Sequence, residues 1–310
     1  MNSETLEKLA ALDSAGFLIK ETESAGEFLQ RVENTEKIYA DFEAELASGE
    51  KVRLFDLFEV SSDCRISPEL TAEAAGITEK LYGFSVRHVP GFYLTKQVGL
   101  LWGGCMIGDP EENFAVFLLR DAFRKKAKFL NYRREELLAH ELCHSVRQVL
   151  DDPTLEEYFA YQTSPSGLRR YLGNCFISGS DALFFLLPVM LLPIAELLRA
   201  LWNPSFPSWI FWIIAVLYPL YLLWRNFCSR LLVGQARKVL VKSGCIHPEA
   251  VLFRCTPDEL LDIGNSGADE IDALVRSKAE KSVRWQVIEK RFFRQNEIPG
   301  DEKEELNYEN

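Results

Sequence analysis

Two of the four histidines in this 310-residue chain stand in one short segment, His140-Glu141-Leu142-Cys143-His144. On a helix, positions i and i+4 share a face, so both imidazoles can bind one metal ion. Glu141, next to the first histidine, can reach a water activated by that ion and act as its general base. The bland alternative is a pair of surface histidines beside a glutamate, a coincidence that so few histidines make improbable. The residues leading in, Glu135-Glu136-Leu137-Leu138-Ala139, are strong helix formers. The chemistry this pattern points to is zinc-dependent hydrolysis of a peptide bond, with Zn2+ as the expected cofactor and His140 and His144 as ligands.

Zinc needs a third protein ligand and keeps one position for water. Gln148-Val149-Leu150-Asp151 follows the motif, which excludes the H-E-x-x-H-x-x-G-x-x-H arrangement. The next helix supplies Glu156 and Glu157. Either carboxylate could complete a His2Glu site, and Glu157, which begins an E-x-x-A step, is preferred. Acids in a first helical turn are also favoured by the helix dipole alone. A further donor should stabilise the oxyanion, with His247, Tyr158, Tyr161, Arg169 and Arg170 as candidates. Cys143, between the two ligands, reads as packing, and His88 has no role.

The elements around the motif must position it. Residues 1–50 are acidic and carry apolar residues at helical spacing, predicting two or three amphipathic helices. Residues 51–176 form the expected catalytic domain, opening with a small sheet. Gly-bounded segments at Gly91–Leu94 and Leu100–Gly104 belong to that texture. Asn113–Leu119 reads as a strand, and as a candidate edge that could hold a peptide by strand addition. The motif helix runs over Arg133–Leu150, and a second helix starts at Thr154 around Pro153. In 226–296 a helix capped by Thr256 and an amphipathic helix over Lys278–Phe293 are expected. Residues 297–310 read as an acidic, disordered tail.

Residues 182–201 are apolar except for Glu196 and Arg199, and residues 206–224 contain no charge. Each is long enough to cross a bilayer core of roughly 30 Å. Tryptophans and tyrosines near their ends fit an interfacial belt. The expectation is a transmembrane helical hairpin within 177–225. Arg169 and Arg170 precede it, and Arg225, Arg230, Arg237 and Lys238 follow it. The positive-inside tendency therefore places both flanks in the cytoplasm of an inner membrane.

The run REELLAHELCH followed by EEYFAY resembles the gluzincin metallopeptidases, and within them the membrane-embedded HtpX-like and CAAX-prenyl-protease-like group. The resemblance covers roughly 80–165 together with the existence of the hairpin. It implies a zincin-like catalytic domain, a metal-binding glutamate in the E-x-x-A position of Glu157, and a protein or peptide substrate. In that group the hairpin usually precedes the metal-binding glutamate; here the glutamates come first, and Tyr161 stands where the group has Asp. The expected fold class is α+β, mostly helical, and the expected function a membrane-anchored zinc metalloendopeptidase. A catalytically inactive metallopeptidase-like membrane scaffold is the alternative, with a non-proteolytic zinc hydrolase behind it.

Composition bounds these readings. Lys+Arg number 35 against 46 Asp+Glu, giving a net charge of −11, which argues against a nucleic-acid partner. Seven scattered cysteines without a C-x-x-C spacing fit free thiols rather than a disulfide framework. The opening MNSETLEKLAALDSAGF lacks the basic and apolar regions of a cleavable signal. A mean hydropathy of −0.07 conceals the hairpin by averaging it with acidic segments.

Overall fold

The computed structural model describes residues 1–49, 51–55, 57–94, 103–109, 114–129 and 131–293. The acidic tail 297–310, Leu100–Trp102 and Asn113 lie outside the described residues. The chain is a mostly helical α+β protein with small sheets. In order it forms α1 (Ser3–Ser14), α2 (Ala25–Ala47), β1 (Val52–Leu54), β2 (Phe58–Val60), α3 (Pro68–Tyr82), β3 (Gly91–Leu94), β4 (Gly104–Asp109), β5 (Phe114–Arg120) and α4 (Ala122–Lys125). There follow β6 (Lys128–Phe129), β7 (Tyr132–Arg133), α5 (Arg134–Arg147), α6 (Pro153–Tyr161), α7 (Gly167–Leu172), α8 (Gly179–Leu201) and α9 (Trp209–Lys242). Four short helices close the described chain: α10 (Pro248–Phe253), α11 (Pro257–Asn265), α12 (Ile271–Ala279) and α13 (Val283–Phe292).

Local chemistry sets several of the boundaries. Ser24 and Glu27 form a capping box at the start of α2, and Thr256 and Glu259 form one at α11. Asp152 caps α6 by accepting from the Thr154 and Leu155 N–H groups, while Pro153 takes the first helical position, where no N–H is needed. The helix expected over Lys278–Phe293 is instead two. The α12 helix ends at Ala279, and Ser282 is extended (φ −135°) before α13 starts.

The three-stranded sheet has the order β3-β5-β4, with β3 parallel and β4 antiparallel to β5. This corrects the expectation for Asn113–Leu119. β5 is the central strand, buried from Phe114 to Leu119, so its backbone groups are spent on both neighbours. Among the described residues, β4 pairs with β5 alone, so its other edge, next to the motif helix, is free. Arg120 N–H donates to Gly103 O in the phase of the Cys105↔Leu118 and Ile107↔Val116 pairs. The alternate residues Gly104, Met106 and Gly108 therefore turn their backbone groups away from β5.

Residues 226–293 share one core with the sheet and the motif helix. Val233, Ala236 and Leu240 of α9 lie in the same buried cluster as Leu118 of β5 and Leu142 of α5. Buried charges join distant parts of the chain. Asp13 of α1 pairs with Arg254 (2.9 Å) and with Arg291, and Arg147 of α5 pairs with Asp152 (2.5 Å). Arg147 also donates to the carbonyls of Phe253 and Cys255, which ties α5, the start of α6 and α10 together.

α8 and α9 are both long and apolar enough to cross a membrane, with mean hydropathies of 2.0 and 1.5 over their most apolar windows. They are not buried core helices: Leu183, Phe184, Leu187, Met190, Ile194, Leu197, Trp212 and Leu217 are all exposed. α9 does not stop at 225 as the sequence reading placed the hairpin's end; it continues unbroken for 17 further residues to Lys242.

Candidate metal centre

The cluster is built by two helices. α5 places His140 and His144 one turn apart, and α6 returns antiparallel after a short turn to bring Glu156 and Glu157 against them. The two Nε2 atoms approach to 3.1 Å. Glu157 faces both, with Oε2 3.5 Å from His140 Nε2 and Oε1 3.6 Å from His144 Nε2. Ligand atoms of His140, His144 and Glu157 all lie within 4.8 Å of one another, a donor set that could hold a metal ion.

Glu156 does something else. Its Oε1 sits 3.0 Å from His144 Nδ1, on the far side of the ring from the cluster. A carboxylate there fixes the tautomer that leaves Nε2 free to coordinate. The two glutamates, alternatives in sequence, thus take different places: one faces both Nε2 atoms and the other holds an imidazole.

Glu141 is buried, and its Oε2 accepts the Met106 N–H at 2.8 Å. That donor belongs to the free edge of β4, so the motif glutamate and the open strand edge meet in one place. Glu141 and Gly104, the first residue of β4, line a cleft of about 230 Å3, whose walls also include Leu137, His140, Glu157 and Tyr161. Gly104 lets β4 lie close against β5: a Cβ there would lie 2.6 Å from Leu119 Cδ2 and 2.9 Å from the Leu118 carbonyl.

The electrostatics fit a cation. Burial pushes Glu157 up to about 7, with Glu141 and Glu156 adding to the rise against the opposing pull of His144. Burial also raises Glu141, opposed by His144 and by the Met106 N–H. Desolvation would depress His144, but the Glu156 hydrogen bond and the surrounding carboxylates hold it up at about 9. His140 is held well below the ordinary imidazole range, first by burial and then by His144. Three carboxylates crowd around two imidazoles, an arrangement whose charge a divalent cation could balance.

Of the five oxyanion candidates, Tyr161 lies in the cleft. Its ring meets His140 edge-on with centroids 4.6 Å apart. Behind it stands Gly173, where a Cβ would come within 2.0 Å of the Tyr161 ring. The other four are placed elsewhere. Arg169 is taken up by Glu136 (2.7 Å) and Arg170 by the Ser164 carbonyl (3.4 Å). Tyr158 packs under Arg230, and His247 sits at the start of α10 against Phe292. Cys143 is buried in the core and His88 is stacked on Phe17.

Sequence reasoning missed Met106, Gly104 and Gly173, whose contributions are a backbone N–H and two absences of a side chain. No residue-type signal marks such positions. Comparison with family models, with curated proteins and with solved structures returned no match.

Proposed function

We propose that the chain is a zinc-dependent metalloendopeptidase of zincin-like, gluzincin-type architecture, anchored in a membrane by the α8–α9 hairpin. The observation that carries this reading is the convergence of His140, His144 and Glu157 beside Glu141, in a cleft bordered by a free strand edge. When bound by these three residues, zinc supplies a Lewis acid that polarises the scissile carbonyl and makes water acidic at neutral pH.

The chain's own residues do the rest. Glu141 accepts the proton of the attacking water and passes it to the leaving amine. The Met106 N–H holds one of its oxygens and leaves the other to take that proton. The outward groups of Gly104 and Gly108 and the Met106 carbonyl offer hydrogen bonds to an extended substrate laid along β4. Tyr161 donates to the developing oxyanion, and Glu156, at His144 Nδ1, keeps that imidazole turned so that its Nε2 faces the cluster. The exposed apolar surface of α8 and the first half of α9 sits in lipid. The arginines on both flanks support a catalytic side that faces the cytoplasm.

Elemental analysis of the detergent-purified chain tests the reading. One equivalent of zinc per chain is expected, and it should be lost in a His140→Ala, His144→Ala double variant. A chain that purifies folded with no zinc and binds none on addition overturns it.

A further inference from the structure

Between the candidate metal centre and the hairpin lies a short helix whose apolar side chains are covered by none of the described residues. Leu168, Tyr171 and Leu172 of α7 are 70%, 50% and 38% exposed. Their i, i+3, i+4 spacing puts them on one face. Phe176, also exposed, continues this surface to the first apolar helix, where its ring meets Phe185 of α8 edge-on at 5.6 Å.

Hydrogen bonds to α9 give the level at which this face sits. Asn226 Nδ2 and Arg230 Nε donate to the Tyr171 carbonyl (2.9 and 3.2 Å), and Arg225 Nη2 donates to the Cys175 carbonyl (2.8 Å). The charge-free run of α9 ends at Trp224. α7 and the turn after it are therefore fastened within the next six residues, about 9 Å of helix rise. That is close to the depth of the polar layer flanking the hydrocarbon core, roughly 5–8 Å on each side. The composition agrees with that level. The Arg230 guanidinium lies 4.6 Å from the Tyr171 ring and Arg170 is exposed, so amphipathic rings and cations stand together as they do at a lipid headgroup boundary.

We propose that α7 is a membrane-interface helix, with Leu168, Tyr171 and Leu172 seated at the boundary of headgroups and acyl chains and Arg170 and Arg230 among the phosphates. The proposal rests on the membrane-anchored part of the proposed function and is independent of hydrolysis. It has a consequence for the cleft. Thr163 and Ser164, which wall it, lie just before α7, and Arg169 of α7 holds Glu136, another wall residue, through two bonds of 2.9 Å. The mouth of the cleft is thereby kept at the bilayer surface, and the polypeptide it takes is one lying along that surface.

Photocrosslinking tests the contact without requiring activity. The full chain is placed in nanodiscs of phosphatidylcholine and phosphatidylglycerol, with p-benzoylphenylalanine replacing Leu168 or Leu172 in separate preparations. Leu217 of α9 serves as the membrane control and exposed Leu261 of α11 as the aqueous one. After irradiation, mass spectrometry should find lipid adducts at 168 and 172 in yields comparable to 217, with only background at 261. Adducts at 217 with none at 168 or 172 overturn the interface helix and leave the hairpin standing. No adducts at any position overturn both. A chain-to-chain crosslink at 168 or 172 in place of lipid also overturns the proposal, because the face would then join two copies.

Discussion

Met106 and Glu141 are joined by a hydrogen bond of 2.8 Å, from the backbone N–H of an edge strand to the carboxylate of the motif helix. The bond places the general base proposed here at the strand edge where an extended substrate would lie. It also orients a buried glutamate whose charged neighbour, His144, makes no hydrogen bond to it among the described residues.

Glu156 and Glu157 should separate in a metal-binding titration. Glu157→Ala removes a ligand and is expected to abolish tight zinc binding. Glu156→Ala loosens only the His144 ring and should weaken affinity by about 10- to 100-fold. Competition against a chromogenic chelator reads both. Equal losses would mean that the two carboxylates do not divide the work as their geometry indicates.

Tyr161 and Gly173 form a second testable pair. Tyr161→Phe keeps the ring against His140 and removes the donor, so kcat should fall by about 10²- to 10³-fold with little change in KM or metal content. Gly173→Ala puts a methyl where the ring stands and should reproduce the kcat loss by displacing it. Steady-state kinetics on a peptide substrate check this; an unchanged kcat in Tyr161→Phe removes the tyrosine from the mechanism.

Arg147 is the positioning residue of the two ligand helices. It is 1% exposed and bonded to Asp152 and to two carbonyls of α10 and the turn after it. Arg147→Ala leaves a buried carboxylate unpaired, at a cost of about 3–5 kcal/mol. Denaturant unfolding in detergent should show this as a lower midpoint, with zinc affinity reduced in the folded fraction.

His88 predicts acid sensitivity away from the metal. Burial against Phe17 and Tyr39 pushes it down to about 4, below the ordinary value of 6.5. As pH falls through 6.5 the unfolded chain binds the proton first, so stability drops until the folded chain also protonates near 4. The total is on the order of 3 kcal/mol. A His88→Phe variant should lose that part of the pH dependence while retaining the rest. Parallel slopes for wild type and variant between pH 6.5 and 4 would contradict it.

What could be read from the sequence followed from local physics. The i, i+4 histidines and the Asp152-Pro153 and Thr256-Pro257 helix starts act within one or two turns of chain, and the charge-free run ending at Trp224 is a contiguous stretch. What could not be read depends on distant partners. β5 is central rather than an edge because β3 and β4 pair with it from both sides, and no pattern inside Phe114–Leu119 records that. Arg147 finds the Phe253 carbonyl across 106 residues. The Met106 contribution is a backbone group that any residue except proline would carry.

The most direct test of the central claim is cleavage of an unfolded protein by the purified chain in lipid, followed through metal removal and zinc readdition beside Glu141→Gln. Wild type should lose activity to a chelator and regain it with zinc. The Glu141→Gln variant should bind zinc normally and cleave on the order of 10²- to 10⁴-fold more slowly. Equal cleavage by wild type and variant, or activity indifferent to the chelator, would contradict the account.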